Sequence, residues 1–184
     1  FFYVVTPVYE GLYGTQATSN KILIGDACEV PYEEYFNTEE DFNLFTIVDA
    51  NNDGSTWEYN ATNGVAYCTF SSMQANDDWL ITPHLHFQEP ISFRFYALNF
   101  SNNAPEEIEV LYTTSEIPDV EEFIRIDSCT INSAYGSWVL KQYDSIPAEA
   151  NYIALRRVTP ADETGYTPKI LNIDDVAFGT KLPN

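Results

Sequence analysis

Apolar and polar residues alternate with a period of two along much of this chain. In Ile91-Ser92-Phe93-Arg94-Phe95-Tyr96, one face takes Ile91, Phe93 and Phe95, and the other takes Ser92 and Arg94. In Glu107-Ile108-Glu109-Val110-Leu111-Tyr112 the acids fall on the wet side and Ile108 and Val110 on the dry side. This alternation predicts strands of a sheet with one buried face. Short runs rich in Val, Ile, Tyr, Phe and Thr, bounded by Gly, Pro, Asn and Asp, predict strands at Tyr3–Tyr9, Lys21–Ile24, Phe45–Val48, Gly64–Phe70, Trp79–Phe87, Ile91–Leu98, Glu107–Thr113, Phe123–Cys129, Trp138–Tyr143, Ala150–Arg156 and Ile170–Phe178. No window carries a sustained helical stripe, and a helical turn or two fits only at Tyr32–Phe42 and Val120–Phe123. Strands spaced by roughly 8–12 residues predict an all-β fold, a jelly-roll β-sandwich of two antiparallel sheets.

Composition supports this reading. Of 184 residues, 45% are hydrophobic and 15% aromatic, with 13 Tyr and 12 Phe against a single Met. That usage fits pleated sheets better than helices. Lys and Arg number 8 and Asp and Glu 28, a formal charge of −20, so the surface repels phosphate. Nucleic acid and anionic membrane are thereby disfavoured, and cations, basic proteins and solvent remain as partners. No run approaches the ~20 apolar residues that span a bilayer. Cys28, Cys68 and Cys129 are widely spaced without a C-x-x-C pair. One disulfide with a spare thiol and three reduced thiols are both open. The chain starts at Phe1 in a strand-like run, which reads as a piece of a longer precursor with its export signal upstream.

The clearest local chemistry is Asp49-Ala50-Asn51-Asn52-Asp53-Gly54. It matches the D-x-[DN]-x-[DN]-G opening of a calcium loop, in which alternating side-chain oxygens converge on a hard cation. The twelfth position is Asn60 rather than Glu, and both flanks read as strand, so this is not an EF-hand. The metal candidates are Asp49, Asn51 and Asp53; the same residues also suit a plain turn between strands. Two further acidic pairs stand out, Asp77-Asp78 and Asp174-Asp175. On a regular strand one member of Asp174-Asp175 faces inward and needs a cation or several donors. His84 and His86 at i, i+2 are a possible metal pair, or two solvent-facing side chains. Aromatic residues in turn-like settings, Trp57, Tyr135, Trp138 and Tyr166, are candidates for a ligand-binding surface. Catalytic signatures such as G-x-S-x-G or H-E-x-x-H are missing, and the reading is of a protein that is not an enzyme.

Two resemblances complete the sequence reading. Tyr3–Gly11, a small-residue turn and Ser19–Ile24 resemble the last two strands of a fibronectin type III module. This divides the chain into a fragment of such a module (1–24), a linker (25–31) and a main domain (32–184). From about Pro31 to Phe178 the chain resembles the cleaved adhesin, or choice-of-anchor J, family. The residues that carry this are Glu33-Glu34-Tyr35-Phe36, the Asp/Asn/Gly loop ending in Trp57, Asp77-Asp78-Trp79-Leu80-Ile81-Thr82-Pro83, Tyr152–Arg156 and Ile173-Asp174-Asp175-Val176. The resemblance implies a jelly roll of the galactose-binding-like kind, export to a bacterial surface and structural calcium, with Glu34, Asp174 and Asp175 joining the metal candidates. It implies an adhesin-like module that binds a glycan or an extracellular protein, beside upstream domains of the parent chain. The alternative is a spacer domain with no ligand of its own. Asn51 and Asn52 depart from the more acidic family loop, and His84-Leu85-His86 has no counterpart in its pattern.

Overall fold

The computed structural model describes residues 27–69, 75–99, 105–133, 136–160 and 170–179, together with the strand backbone at 4–5, 8–9, 12–13 and 17–18. Near the start, β1 (Val4–Val5) pairs antiparallel with β4 (Ala17–Thr18), and β2 (Val8–Tyr9) pairs with β3 (Leu12–Tyr13). The strand expected at Lys21–Ile24 lies outside the described residues.

The chain then runs through β5 (Cys28–Glu29), β6 (Tyr32–Glu34), one helical turn α1 (Glu39–Phe42), β7 (Thr46–Asp49), β8 (Trp57–Asn60), β9 (Val65–Cys68), β10 (Asp78–Ile81) and β11 (Leu85–His86). It continues with β12 (Ile91–Asn99), β13 (Glu106–Thr113), β14 (Ile124–Ile131), β15 (Val139–Ile146), β16 (Tyr152–Arg157) and β17 (Leu171–Phe178). One sheet has the order β14-β13-β16-β10-β7; the other runs β15-β12-β17-β9-β8, with β6 added on β17. Every pairing within these two sheets is antiparallel. The fold is the expected jelly-roll β-sandwich.

Period-two alternation positions the core. Phe93, Phe95, Ile173 and Phe178 from one sheet meet Leu80, Ile108, Val110 and Leu155 from the other in one buried cluster. Phe93 stacks on Phe178 with ring centroids 4.9 Å apart, the offset geometry favoured by aromatic quadrupoles. A second, smaller cluster of Trp79, Ile81, Leu111, Tyr152 and Ala154 lies on the opposite face of the five-stranded sheet. Phe123 covers it, 5.4 Å from Trp79 and edge-on. The residues 120–122 before Phe123 form the 3-10 turn expected near Val120–Phe123.

Three local readings change. The long strand expected at Trp79–Phe87 is two strands, broken at Pro83, which has no N–H to give a ladder. Its second half, β11, pairs in parallel with β5, so the 25–31 segment read as a linker already contributes a strand. The Tyr32–Phe42 segment splits: Tyr32–Glu34 is strand, and only Glu39–Phe42 is helical. Thr38 fixes that boundary, because its hydroxyl accepts from Asp41 N while the Asp41 carboxylate accepts from Thr38 N.

The Phe178→Ala variant is expected to cost about 3–5 kcal/mol in urea unfolding, since it empties the centre of the stack. Ile124→Ala, at a position 54% exposed, is expected to stay within about 0.5 kcal/mol.

Candidate functional site

Alternation along β10 sends Trp79 and Ile81 to the outer cluster and Leu80 to the core. By the same rule Asp78 points inward, and it is fully buried. Its neighbours make a polar layer at one end of the sandwich. Arg157, on the adjacent strand in direct register with Asp78, is also fully buried. The Arg157 guanidinium bonds Glu106 through Nε at 2.9 Å and donates from Nη1 to the carbonyls of Cys68 and Thr69 at 3.0 and 2.7 Å. Trp57 closes the layer: it is 2% exposed and donates its indole N–H to the Asp78 carbonyl at 3.1 Å. Trp57 is therefore a core residue and not the surface platform expected of it, because β8 turns it inward between the sheets.

The loop from Asp49 to Thr56 lies against this layer. Asp49 is paired in register with Asp78. Ala50 N bonds Asp77 O at 2.9 Å, and the Asn51 amide bonds Ala75 O at 2.6 Å. Both Asp49 carboxylate oxygens accept loop N–H groups, from Asp53 at 3.3 Å and Gly54 at 2.9 Å. Asp53 Oδ1 accepts from Ser55 N at 2.7 Å. Asn52 (φ 55°) and Gly54 (φ 81°) take the left-handed conformations that let the chain reverse. Asn52 thus serves the turn, which explains a neutral residue there.

Among the described residues, six buried oxygens of the loop and the layer have no hydrogen-bond partner: Asn51 Oδ1, Asp53 Oδ2, Thr56 Oγ1, Asn76 Oδ1, Asp78 Oδ1 and Glu106 Oε1. Buried polar atoms are seldom left in this state. Burial pushes the Asp78 carboxyl up to about 6, and the Asp53 and Asp49 charges add to it; the Asn76 amide and Arg157 oppose it only in part. Among the described residues no three His, Cys, Asp or Glu side chains form a metal cage. The loop and the layer beside it offer a mixed oxygen set, with Asn and Thr as well as carboxylates. That donor chemistry fits Ca²⁺, which takes side-chain and backbone oxygens and favours no nitrogen or sulfur. Asp78 and Thr56 did not figure among the sequence candidates.

Glu34, Asp174 and Asp175 form a separate group. Glu34 is 6% exposed and its oxygens accept from Tyr32 OH and Phe36 N, each at 2.9 Å. Burial raises Asp174 to about 6, with the Asp175 and Glu34 charges adding to it and the Asp175 N–H opposing. Neither Asp174 nor Asp175 is buried in the core as strand alternation predicts. A bulge breaks the β12–β17 register beside them, and Asp175 takes φ 50°. The extra residue is absorbed there, and Val176 and Phe178 resume the inward positions.

The outer face of the six-stranded sheet carries a different chemistry. Three rows cross it: Gln142, Arg94, Ala177 and Glu33; Leu140, Tyr96 and Asp174; and Asn172, Tyr67 and Glu58. Tyr67 donates to Glu58 at 2.5 Å, Arg94 pairs with Glu33 at 3.4 Å, and Tyr35, 43% exposed, donates to Glu33. Arg94 Nε has no hydrogen-bond partner among the described residues. Of the proposed aromatic platform, Trp138 is exposed (40%) and immediately precedes β15; Tyr135 and Tyr166 lie outside the described residues. His84 stacks near Tyr152 (5.2 Å) and His86 pairs with Glu29 (3.2 Å), so the two rings have separate partners. The three cysteines are free thiols.

No protein-family model matches the chain, and no curated protein matches it. Solved structures do. The K1 cleaved adhesin domain of Lys-gingipain from Porphyromonas gingivalis W83 is 22% identical with a TM-score of 0.66, over 83% of this chain and 99% of that one. The K2 domain of Lys-gingipain is 17% identical with a TM-score of 0.65, over 82% and 100%. The CBM22-2 xylan-binding domain of Paenibacillus barcinonensis Xyn10C is 17% identical with a TM-score of 0.51, over 82% and 99%. The resemblance read from the motif blocks is matched by the fold.

A titration of stability in chelator follows from Asp78. A carboxyl raised in the folded state destabilises above about pH 6, and the penalty fades as pH falls toward its ordinary value of 3.8. Urea unfolding at pH 5 is expected to show about 1 kcal/mol more stability than at pH 7.5 from Asp78 alone. Asp77 opposes this trend only in more acid solution. Burial would raise it, but Arg156 and the Trp79 N–H outweigh that and hold it below the usual carboxylate range. Asp78→Asn is expected to remove much of the pH 5 gain.

Proposed function

We propose that this chain is a non-catalytic, calcium-stabilised, adhesin-like binding module of a bacterial surface or secreted protein, and that its ligand is a glycan. The single observation that carries the binding role is the outer face of the six-stranded sheet. It presents Tyr35, Tyr67 and Tyr96 beside Arg94, Gln142 and Glu58 on a rigid scaffold. Flat rings ringed by hydrogen-bonding groups suit a sugar, which offers an apolar face and a hydroxyl edge. The net charge of −20 favours neutral over anionic glycans. Likeness to a domain described as xylan-binding supports this choice of ligand class. Among the described residues no helix is long and apolar enough to cross a membrane. Residues 1–24 are read as the end of a fibronectin-like neighbour, with upstream domains beyond it.

Calcium enters through the unpartnered oxygens. Asn51, Asp53, Thr56 and Asp78 would hold the ion, with Asp49 orienting the loop through its N–H groups. Bound Ca²⁺ supplies charge neutralisation for the inward Asp78. Glu34 and Asp174, two coupled carboxyls, are the second place where a cation would relieve repulsion, with Asp175 beside them.

Two experiments test this reading. A neutral-glycan array is expected to show binding that Tyr96→Ala and Arg94→Ala reduce at least about tenfold, since each removes a contact worth more than about 1.4 kcal/mol; an array with no hits at all overturns the glycan reading. A thermal melt in millimolar Ca²⁺ against EDTA is expected to rise by several degrees, because a hundredfold excess over the dissociation constant adds about 2.7 kcal/mol. Asp53→Ala is expected to abolish that shift.

A further inference from the structure

A cavity of about 360 Å³ is lined by Glu29, Val30, His86, Phe87, Gln88, Glu89 and Ile91, none of which belongs to the sites just described. Its position follows from the parallel β5–β11 pair, whose register sets Glu29 directly beside His86. Cys28 N is tied to His84 O at 2.7 Å, and the His86 ring lies 3.2 Å from the Glu29 carboxylate. Val30, Phe87 and Ile91 form the apolar floor, all partly buried against the main core. Val30 is held from behind by Gly179. A Cβ there would come within 2.3 Å of Val30 Cγ1, so only glycine lets the two segments approach this closely. The floor is thus built before any ligand arrives, while Glu29 and Glu89 stand exposed at the mouth. Among the described residues neither Lys nor Arg lines the cavity.

An apolar floor under an anionic mouth complements one kind of group, an alkyl stem that ends in a positive charge. We propose that this pocket receives a lysine or arginine side chain of a partner protein. The stem lies on Phe87, Val30 and Ile91, and the cationic head sits between the Glu29 and Glu89 carboxylates, with Gln88 offering its carbonyl. The chain's overall charge of −20 brings basic partners to this surface and keeps acidic ones away. A volume of this size lies in the range of small binding pockets. A single His with carboxylates does not make the nitrogen-rich set that transition metals select, and no metal cluster is found among the described residues. The inference does not rest on glycan binding by the sheet face.

The test is a titration of the isotope-labelled chain, followed by amide shifts, with short peptides identical except for a central Arg, Lys or Met. Saturable shifts confined to Glu29–Val30 and His86–Glu89 are expected with Arg and Lys and not with Met. The double variant Glu29→Gln/Glu89→Gln, at exposed positions that tolerate the change, is expected to weaken binding about tenfold. A remote control pair, Glu39→Gln/Glu40→Gln, removes the same charge and is expected to bind within about twofold of the parent. No shifts at millimolar peptide, equal shifts with Met, or equal loss in the control pair each overturn the proposal.

Discussion

Arg157 is the interaction on which the sandwich turns. It is a fully buried cation that belongs to the five-stranded sheet, and its guanidinium reaches the carbonyls of Cys68 and Thr69 on the other sheet. Glu106 balances its charge, and Thr159 donates to that same carboxylate at 2.5 Å. A buried ion pair of this kind adds little net stability over well-packed apolar residues, yet breaking it leaves an uncompensated charge that costs several kcal/mol. Its value here is positional. It locks the strand register at one end of the core, and that register puts Asp78 opposite Asp49 and under Trp57.

The loop chemistry descends from that placement. Once Asp78 is fixed inward, the Asp49–Thr56 loop must close over a carboxylate that has one satisfied oxygen, bonded by the Asn76 amide at 2.9 Å, and one bare oxygen. Loop donors go to Asp49 and Asp53 Oδ1, and Asn51 Oδ1, Asp53 Oδ2 and Thr56 Oγ1 have no hydrogen-bond partner among the described residues. The outer face of the same sheet shows the contrasting, self-sufficient solution. There Asp77 takes two bonds from Arg156 at 2.6 and 2.8 Å and one from Trp79 at 2.8 Å, and Arg156 also lies over the Trp79 ring at 4.9 Å. Adjacent aspartates thus meet different surroundings: Asp77 is paired with Arg156, and Asp78 is buried with one carboxylate oxygen that has no hydrogen-bond partner among the described residues.

Much of this was legible in the sequence. Alternation in Ile91–Leu98 and Glu107–Thr113 placed Phe93, Phe95, Ile108 and Val110 inward, and the Asp/Asn/Gly run located the loop. The rule that one of two adjacent strand acids faces inward fails at Asp174-Asp175. There a bulge at Asp175 removes the constraint, and nothing in local sequence marks a bulge formed by a non-glycine residue. Applied to Asp77-Asp78 it finds the buried acid, and the unbroken apolar run Trp79-Leu80-Ile81 was the available signal. The burial of Trp57 is not legible locally, because a turn-flanking tryptophan looks exposed until the register of β8 against β9 is known. The outer-face rows of Tyr96 and Tyr67 could not be read at all, because they join strands far apart in the chain.

The most direct measurement is terbium luminescence. Tb³⁺ replaces Ca²⁺ at oxygen sites and is sensitised by a nearby indole, and Trp57 stands hydrogen-bonded to Asp78. Excitation of tryptophan is expected to give saturable Tb³⁺ emission that Ca²⁺ displaces and that Asp78→Asn abolishes. Absence of sensitised emission, or emission unchanged in Asp78→Asn, would contradict the assignment of Asp78 and its neighbouring oxygens as a cation site.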